Sequence, residues 1–297
     1  MTTLGDLKLG IYEKAIPLQL SWIEKMNTAK AAGFDFIELS VDGLEPRIHR
    51  LDWDDAQINE IRRASEITGV PLLTMALTAN RYFPLGDPAR REQGIEIVRK
   101  GIRLAMRLGI RIIQLAPYDV NPALDGREGN EGTLGLFKDS LRRLVTYAAD
   151  CGVMLSLEVV DDVRFCRSVQ SVRQLIEEID SPFLQIYTDT GNVAALDADP
   201  VPDIPNGGSH LIASHLKDAV LGCCRKVEYG KGIVDFEACL RAFKEMDFHG
   251  FFVCEMWSDE EESFIPYLKV ANDFLRAKIR AVDQACEPKI QKENQPA

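Results

Sequence analysis

Short apolar runs rich in β-branched residues alternate along the chain with longer amphipathic segments whose charges recur at helical spacing. The apolar runs predict eight strands, at 7–13, 36–42, 71–78, 111–118, 153–160, 184–190, 211–218 and 251–257. The segments between them predict helices over 18–32, 54–68, 88–108, 133–150, 168–179, 236–246 and 259–280. The sixth unit is weak, because 197–209 is rich in Pro, Asp and Gly and allows at most one helical turn, near Asp203. Gly33, Gly69, Gly109, Gly152 and Gly250 each stand shortly before a strand, where a helix C-terminus is expected. Alternation of this kind implies a parallel sheet. Its recurrence predicts an α/β fold of the closed (β/α)8 TIM-barrel type rather than an open doubly wound sheet.

At 297 residues the chain is close to the roughly 250 of one barrel domain. A single barrel over 1–285 is therefore expected, followed by a polar, disordered tail over 286–297. The first nine residues lack a basic start and an apolar run, and no segment reaches the roughly 18–20 apolar residues that span a bilayer. The expectation is a cytoplasmic protein with no membrane partner. Seven cysteines without CxxC spacing argue against a disulfide framework or a thiolate zinc site. Most read as reduced core residues, the adjacent Cys223 and Cys224 included. A net charge of −11 excludes a nucleic-acid partner, which would leave a basic patch.

In a TIM barrel the chemistry sits at the C-terminal ends of the strands, so polar residues that close apolar runs are the ones of interest. Glu158 closes LSLEVV, Asp189 closes QIYTDT, His215 sits in IASHLKD and Glu255 in FFVCEMW. They fall on strands five to eight, consecutive neighbours around the ring. An unpaired carboxylate buried there costs several kcal/mol or is neutralised. One divalent cation compensates all four groups together, and a site of three carboxylates and one imidazole suits Mn²⁺, Mg²⁺ or Zn²⁺, of which Mn²⁺ or Zn²⁺ is favoured. His49, His210 and His249 read as turn or surface residues without a role.

The same residues carry a family likeness. GIYEKAIP (10–17), FDFIELSVD (34–42), RLDW (50–53), RYFPLGD (81–87), GIRIIQLAPYDV (109–120), TDTGN (188–192), HLKD (215–218), YGKGIVDF (229–236) and CEMWS (254–258) span most of the chain. On them the chain resembles the L-ribulose-5-phosphate 3-epimerases, also called L-xylulose-5-phosphate 3-epimerases, of bacterial ascorbate and gulonate catabolism. These belong to the xylose-isomerase-like barrels. The resemblance implies Glu158, Asp189, His215 and Glu255 as ligands of one divalent metal and a ketopentose phosphate as substrate. Lys231 within YGKG, TDT at 188–190 and SLEVVDD at 156–162 depart from the family pattern, which bears on substrate choice more than on chemistry.

Epimerising a ketose at C3 needs one base to take a proton and an acid on the opposite face to return one. Glu158 and Glu255, on strands five and eight, are the candidates, acting across an enediolate whose charge the metal stabilises. Tyr12, Glu38, Gln114 and Trp257, at or near strand ends, are expected to contact substrate, and Arg81 and Phe83 to line or cover the pocket. Lys217, Lys231, the amides around Gly230 and Gly232, and Arg225 or Lys226 are candidate phosphate donors, since barrels often bind phosphate after strands seven and eight. The same ligands would serve an aldose–ketose isomerase, a 3-epimerase of free ketoses or an inosose-type dehydratase. A repair endonuclease would need more than four histidines and a basic surface, and a sugar-binding protein without chemistry would have lost a ligand. A homodimer is expected on general grounds.

Overall fold

The computed structural model describes residues 2–160, 163, 165–258 and 262–286. Eight parallel strands, β1 (Leu9–Tyr12), β2 (Phe36–Val41), β3 (Leu72–Leu77), β4 (Ile112–Leu115), β5 (Met154–Glu158), β6 (Leu184–Asp189), β7 (Leu211–Leu216) and β8 (Phe251–Cys254), pair in chain order. β8 pairs back onto β1, with Leu9 opposite Phe252, and this closes the ring. Around it run α1 (Trp22–Ala32), α2 (Asp55–Thr68), α3 (Arg91–Leu108), α4 (Pro122–Asp125), α5 (Glu131–Asp150), α6 (Val169–Ile179), α7 (Thr190–Ala195), α8 (Pro200–Asp203), α9 (Phe236–Glu245) and α10 (Ile265–Cys286). No described helix is long and apolar enough to cross a membrane.

Helix ends follow local chemistry. α1 starts at Trp22 and not at residue 18, because the Ser21 hydroxyl accepts from the Glu24 amide while Glu24 bonds back to the Ser21 amide. It stops at Gly33, whose φ of 93° no side-chain-bearing residue adopts readily. Gly250 departs from the expected helix-end role. α9 ends before it, and a Cβ at Gly250 would sit 2.0 Å from the Ile212 carbonyl, so close strand packing requires glycine there.

Strands are shorter than their apolar runs: β1, β4 and β8 stop where the chain turns into the loops that bear polar residues, although the flanking residues stay buried. The sixth unit holds more helix than its composition predicts. The Asp189 carboxylate accepts the Asn192 amide and starts α7, Asp199 and Pro200 start α8, and a 3-10 segment spans Ile204–His210. The last helix, expected from 259, runs from Ile265 after a 3-10 turn over Glu262–Phe264, and 259–261 lie outside the described residues. Of the expected tail, Cys286 ends α10 and 287–297 lie outside the described residues.

Two cores result from the period of two along each strand. One set of positions packs between sheet and helices as a large aliphatic layer. The other fills the barrel, where Phe36, Ala76, Tyr187, Ala213 and Val253 form a plug. Phe36 takes the space that Gly10 leaves, since a Cβ on Gly10 would lie 2.4 Å from its ring. Two residues further along the same interior faces come Glu38, Asp189, His215 and Glu255. The apolar plug thus forms the floor beneath a polar upper layer.

Candidate active site

Glu158 and Asp189 are the final residues of β5 and β6, His215 precedes the end of β7, and Glu255 follows β8 directly. Register places Asp189 opposite His215. Each of the four offers one ligand atom, and all four atoms lie within 4.8 Å of one another. His215 Nδ1 stands 3.3 Å from Glu158 Oε1, 3.5 Å from Glu255 Oε2 and 3.6 Å from Asp189 Oδ2. None of the four is more than 8% exposed.

Their hydrogen bonds are incomplete. Glu158 Oε2 accepts from Gln114 Nε2 at 2.6 Å, and Asp189 Oδ1 accepts the Asn192 amide at 2.8 Å. Asp189 Oδ2 and Glu255 Oε2 are buried and accept no aligned hydrogen bond among the described residues. Lys217 Nζ lies 2.8 Å from the first and 2.7 Å from the second, a charge contact, while it donates at 2.8 Å to Asn192 Oδ1. With the imidazole neutral, as a ligating ring must be, Glu38, Glu158, Asp189 and Glu255 outnumber the Lys217 ammonium by three charges, a deficit that one divalent cation cuts to one. Two orphaned carboxylate oxygens, a third carboxylate and an imidazole nitrogen aimed at a common point fit such an ion.

The electrostatics match this crowding. Burial pushes the His215 imidazole down, but the Glu255 and Glu38 carboxylates outweigh it and hold the ring well above its ordinary value. Burial opposes ionisation of Asp189, and the neighbouring Lys217 ammonium and His215 reverse that and lower its pKa. The Lys217 ammonium is raised because Asp189 and Glu255 overcome its desolvation. Tyr12 is raised chiefly by burial.

Above the cluster opens a cavity of about 330 Å³. That is the small end of the ~300–1,000 Å³ usual for ligand pockets, a space for a small molecule and not a polymer. Tyr12 and Trp257 form one wall, edge to face at 6.1 Å, and Gln114 and Lys217 reach its floor. Lys14, Arg81 and Arg225 give it a cationic rim. Arg225 and Lys217 both lie over the Trp257 ring, at 6.0 and 5.5 Å.

Several expected contacts fall elsewhere. Glu38 is fully buried and does not line the cavity: His215 Nε2, Thr74 Oγ1 and the Tyr187 hydroxyl occupy its oxygens from below. Lys231 is exposed and off the cavity, because the YGKG turn folds back on Asp218. The Gly230 and Gly232 amides donate to Asp218 Oδ2 at 2.8 and 2.9 Å and are thus already taken by the protein. Lys226 faces a neighbouring cleft beside Glu228, and Phe83 packs on the aliphatic layer. Lys217 does line the cavity, where it sits within the carboxylate cluster.

Lys14, Asn192 and the pair Cys223–Cys224 line the cavity without having been expected there. Asn192 had a signal, since it stands three residues after Asp189, where a capped helix begins. Lys14 lies in the 3-10 turn just past β1, paired with Asp42 at 2.6 Å. All seven cysteines are free. Cys223 is the exposed one, and burial pushes the Cys239 and Cys254 thiols up to about 12. His49, His210 and His249 pair with Glu45, Gln185 and Asp247, outside the cavity.

A carboxylate–imidazole cluster at the C-terminal mouth of a closed eight-strand barrel defines a class, and residues 26–278 match the family model of the xylose isomerase-like TIM barrels. The chain is 38% identical over 276 residues to the L-ribulose-5-phosphate 3-epimerase UlaE of Salmonella paratyphi A, a match that covers 92% of this chain and 95% of that one. It therefore belongs to the L-ribulose-5-phosphate 3-epimerase family and is an isomerase. Among solved structures, an L-ribulose 3-epimerase superposes with a TM-score of 0.79 at 19% identity, covering 98% of this chain and all of that one. The D-psicose 3-epimerase of Clostridium cellulolyticum H10 superposes at 0.76 and 18% identity, over 92% of this chain and 99% of that one. At these identities the two superpositions speak for the fold.

Proposed function

We propose that the protein is a metal-dependent 3-epimerase that interconverts L-ribulose 5-phosphate and L-xylulose 5-phosphate. The observation that carries this reading is that Glu158 and Glu255, from strands three apart around the ring, both line one small cavity within one cluster of side chains able to hold a cation. Its relatives are L-ribulose-5-phosphate 3-epimerases, and the cationic rim suits a phosphorylated sugar.

Glu158, Asp189, His215 and Glu255 would hold one Mn²⁺ or Zn²⁺ ion. When bound, the ion supplies Lewis-acid stabilisation of negative charge on the oxygens beside C3. One glutamate, ionised, takes the C3 proton, the substrate flattens to an enediolate, and the other, which enters the cycle carrying a proton from solvent, returns that proton to the opposite face. Gln114 fixes the orientation of Glu158 through their 2.6 Å hydrogen bond. Lys217 offsets the charge of Asp189 and Glu255. Tyr12 and Trp257 give an apolar wall that keeps water from the planar intermediate. Arg225, with Lys14 and Arg81, receives the phosphate.

Proton NMR in D₂O tests this directly. L-ribulose 5-phosphate and L-xylulose 5-phosphate should interconvert with deuterium appearing at C3 alone, whereas free L-ribulose should turn over at least about 10-fold less efficiently. Exchange at C1 or loss of water in place of C3 exchange would reassign the reaction. Arg225→Ala should raise KM for the phosphorylated sugar roughly 10-fold and leave that for free L-ribulose unchanged.

A further inference from the structure

We propose that Glu38 is the positioning residue for His215: from beneath the cluster it fixes the imidazole so that Nδ1 is the atom presented to a cation. The inference rests on the metal-dependent reading above and adds to it a residue that touches neither ion nor sugar.

Glu38 lies on β2 between the interior residues Phe36 and Ser40, fully buried. A carboxylate there would cost several kcal/mol without compensation. Three donors from three other strands surround it. Thr74 of β3 donates to Oε2 at 2.7 Å, Tyr187 of β6 donates to the same oxygen at 2.8 Å, and His215 Nε2 of β7 stands 2.7 Å from Oε1. An ionised carboxylate only accepts, so His215 Nε2 must carry the proton of that bond. In a neutral ring Nδ1 is then the bare nitrogen, and Nδ1 is the atom facing Glu158, Asp189 and Glu255.

The arrangement chooses between two tautomers that a neutral imidazole otherwise populates. With the proton on Nδ1 the ring would donate to Glu158, 3.3 Å away, and present no lone pair to an ion. The ring is also held against rotation. The Tyr187 ring lies 4.6 Å from it on one side and Tyr12 lies 6.1 Å away on another. Tyr187 therefore serves twice, as a wall for the imidazole and as a donor that keeps the Glu38 carboxylate in place. A hydrogen-bonded carboxylate behind a ligating histidine also strengthens its basicity, and loss of such a partner typically weakens metal binding about 10- to 100-fold.

The test is Mn²⁺ affinity by EPR of the free ion, together with the visible spectrum of the Co²⁺-loaded protein, on the full chain. Glu38→Gln keeps shape and loses charge; its Mn²⁺ Kd should rise about 10- to 100-fold and its Co²⁺ bands should shift, with far-UV circular dichroism in chelator unchanged. A Kd within about 2-fold of wild type and unaltered Co²⁺ bands would overturn the proposal. If Glu38→Gln fails to fold, the Thr74→Val and Tyr187→Phe double variant leaves the carboxylate and removes its supports. That variant should weaken Mn²⁺ binding by about 5-fold, and unchanged affinity would overturn the proposal equally. Wild type and Asp189→Asn serve as controls for the underlying reading. If neither takes up Mn²⁺ or Co²⁺ the metal-dependent reading itself falls, and the positioning role falls with it.

Discussion

Two clusters of buried charge lie near the strand ends of this barrel, and they are solved in opposite ways. Around Glu13, just past β1, one carboxylate meets two cations. Lys25 and Arg50 each donate to Oε1 at 2.7 Å, Arg50 also bonds Oε2, and the Ser40 amide donates to Oε2 at 3.1 Å. Trp22 and Trp53 flank the Arg50 guanidinium at 5.5 Å. Every lone pair that matters is used, and the ions come from the chain itself. Around His215 the carboxylates outnumber the cations, and two oxygens keep unused lone pairs. A cluster that satisfies itself holds structure together, whereas one that is short of positive charge is prepared for something that arrives from outside.

That contrast is broken most sharply by neutralising one carboxylate in each. Glu158→Gln or Glu255→Gln should slow C3 exchange by roughly 10²- to 10⁴-fold, the usual contribution of a positioned acid or base. Because each removes a charge from an overcrowded group, thermal stability in chelator should hold or rise slightly. The pair of measurements, NMR exchange and a melting curve, distinguishes the functional cluster from the structural one. Near wild-type exchange in both variants would remove the two glutamates from the chemistry.

Glu13→Gln should do the reverse. It strands Lys25 and Arg50 as unpaired buried charges, a loss of about 3–5 kcal/mol by urea titration. Exchange per folded molecule should stay within about 2-fold, since Glu13 does not line the cavity. A stability loss below about 1 kcal/mol would mean that the cluster relaxes or hydrates when it is broken.

The two clusters were not equally legible in the sequence. Glu158, Asp189, His215 and Glu255 end apolar runs, and a period of two together with barrel closure sends them to one mouth. Glu13 gave no such sign: its partners Lys25 and Arg50 lie on α1 and in the turn after β2, and only folding brings them under it. Glu38 shows the same limit from another side. Its place in a strand predicts that it points inward, but depth along the barrel axis depends on the stagger of neighbouring strands, which sequence does not display. So a residue expected to meet substrate lies one layer below it. The phosphate donors failed for a third reason. YGKG looks like an anion loop until Asp218, sixteen residues before Val234, takes its amides. Loop composition predicts available N–H groups and cannot say which carboxylate reaches them first.

Metal removal sharpens the comparison at intermediate magnitude. A ligand at 100 times its Kd stabilises the state it binds by about 2.7 kcal/mol. Stripping the ion with EDTA should therefore lower wild-type stability by roughly that amount, and Mn²⁺ should restore it. Asp189→Asn, which alters a ligand with one orphaned oxygen, should respond to neither addition. Glu13→Gln should respond in full from its lower baseline, because its defect lies in a cluster that carries its own cations. Equal responses in the two variants would mean that the clusters are not separable.

The smallest expected effect lies at acid pH, and it comes from Glu13. Burial alone would raise this carboxyl, but the Arg50 guanidinium and Lys25 ammonium outweigh it and hold the folded-state pKa far below the ordinary carboxylate range. A depressed folded pKa means that the unfolded chain binds the proton first. The stabilisation is complete above the unfolded pKa, near 4.3 for a glutamate, and drains away as pH falls below it toward the folded value. Wild type should accordingly lose up to about 1.4 kcal/mol per pH unit below 4 from this one group. Glu13→Gln has no proton to gain at that site, so the gap between the two proteins should narrow between pH 5 and pH 3 when unfolding is followed in chelator. A gap that stays constant over that range would show that folding leaves the Glu13 pKa unshifted, and a gap that widens as pH falls would show that the folded protein holds this carboxyl protonated.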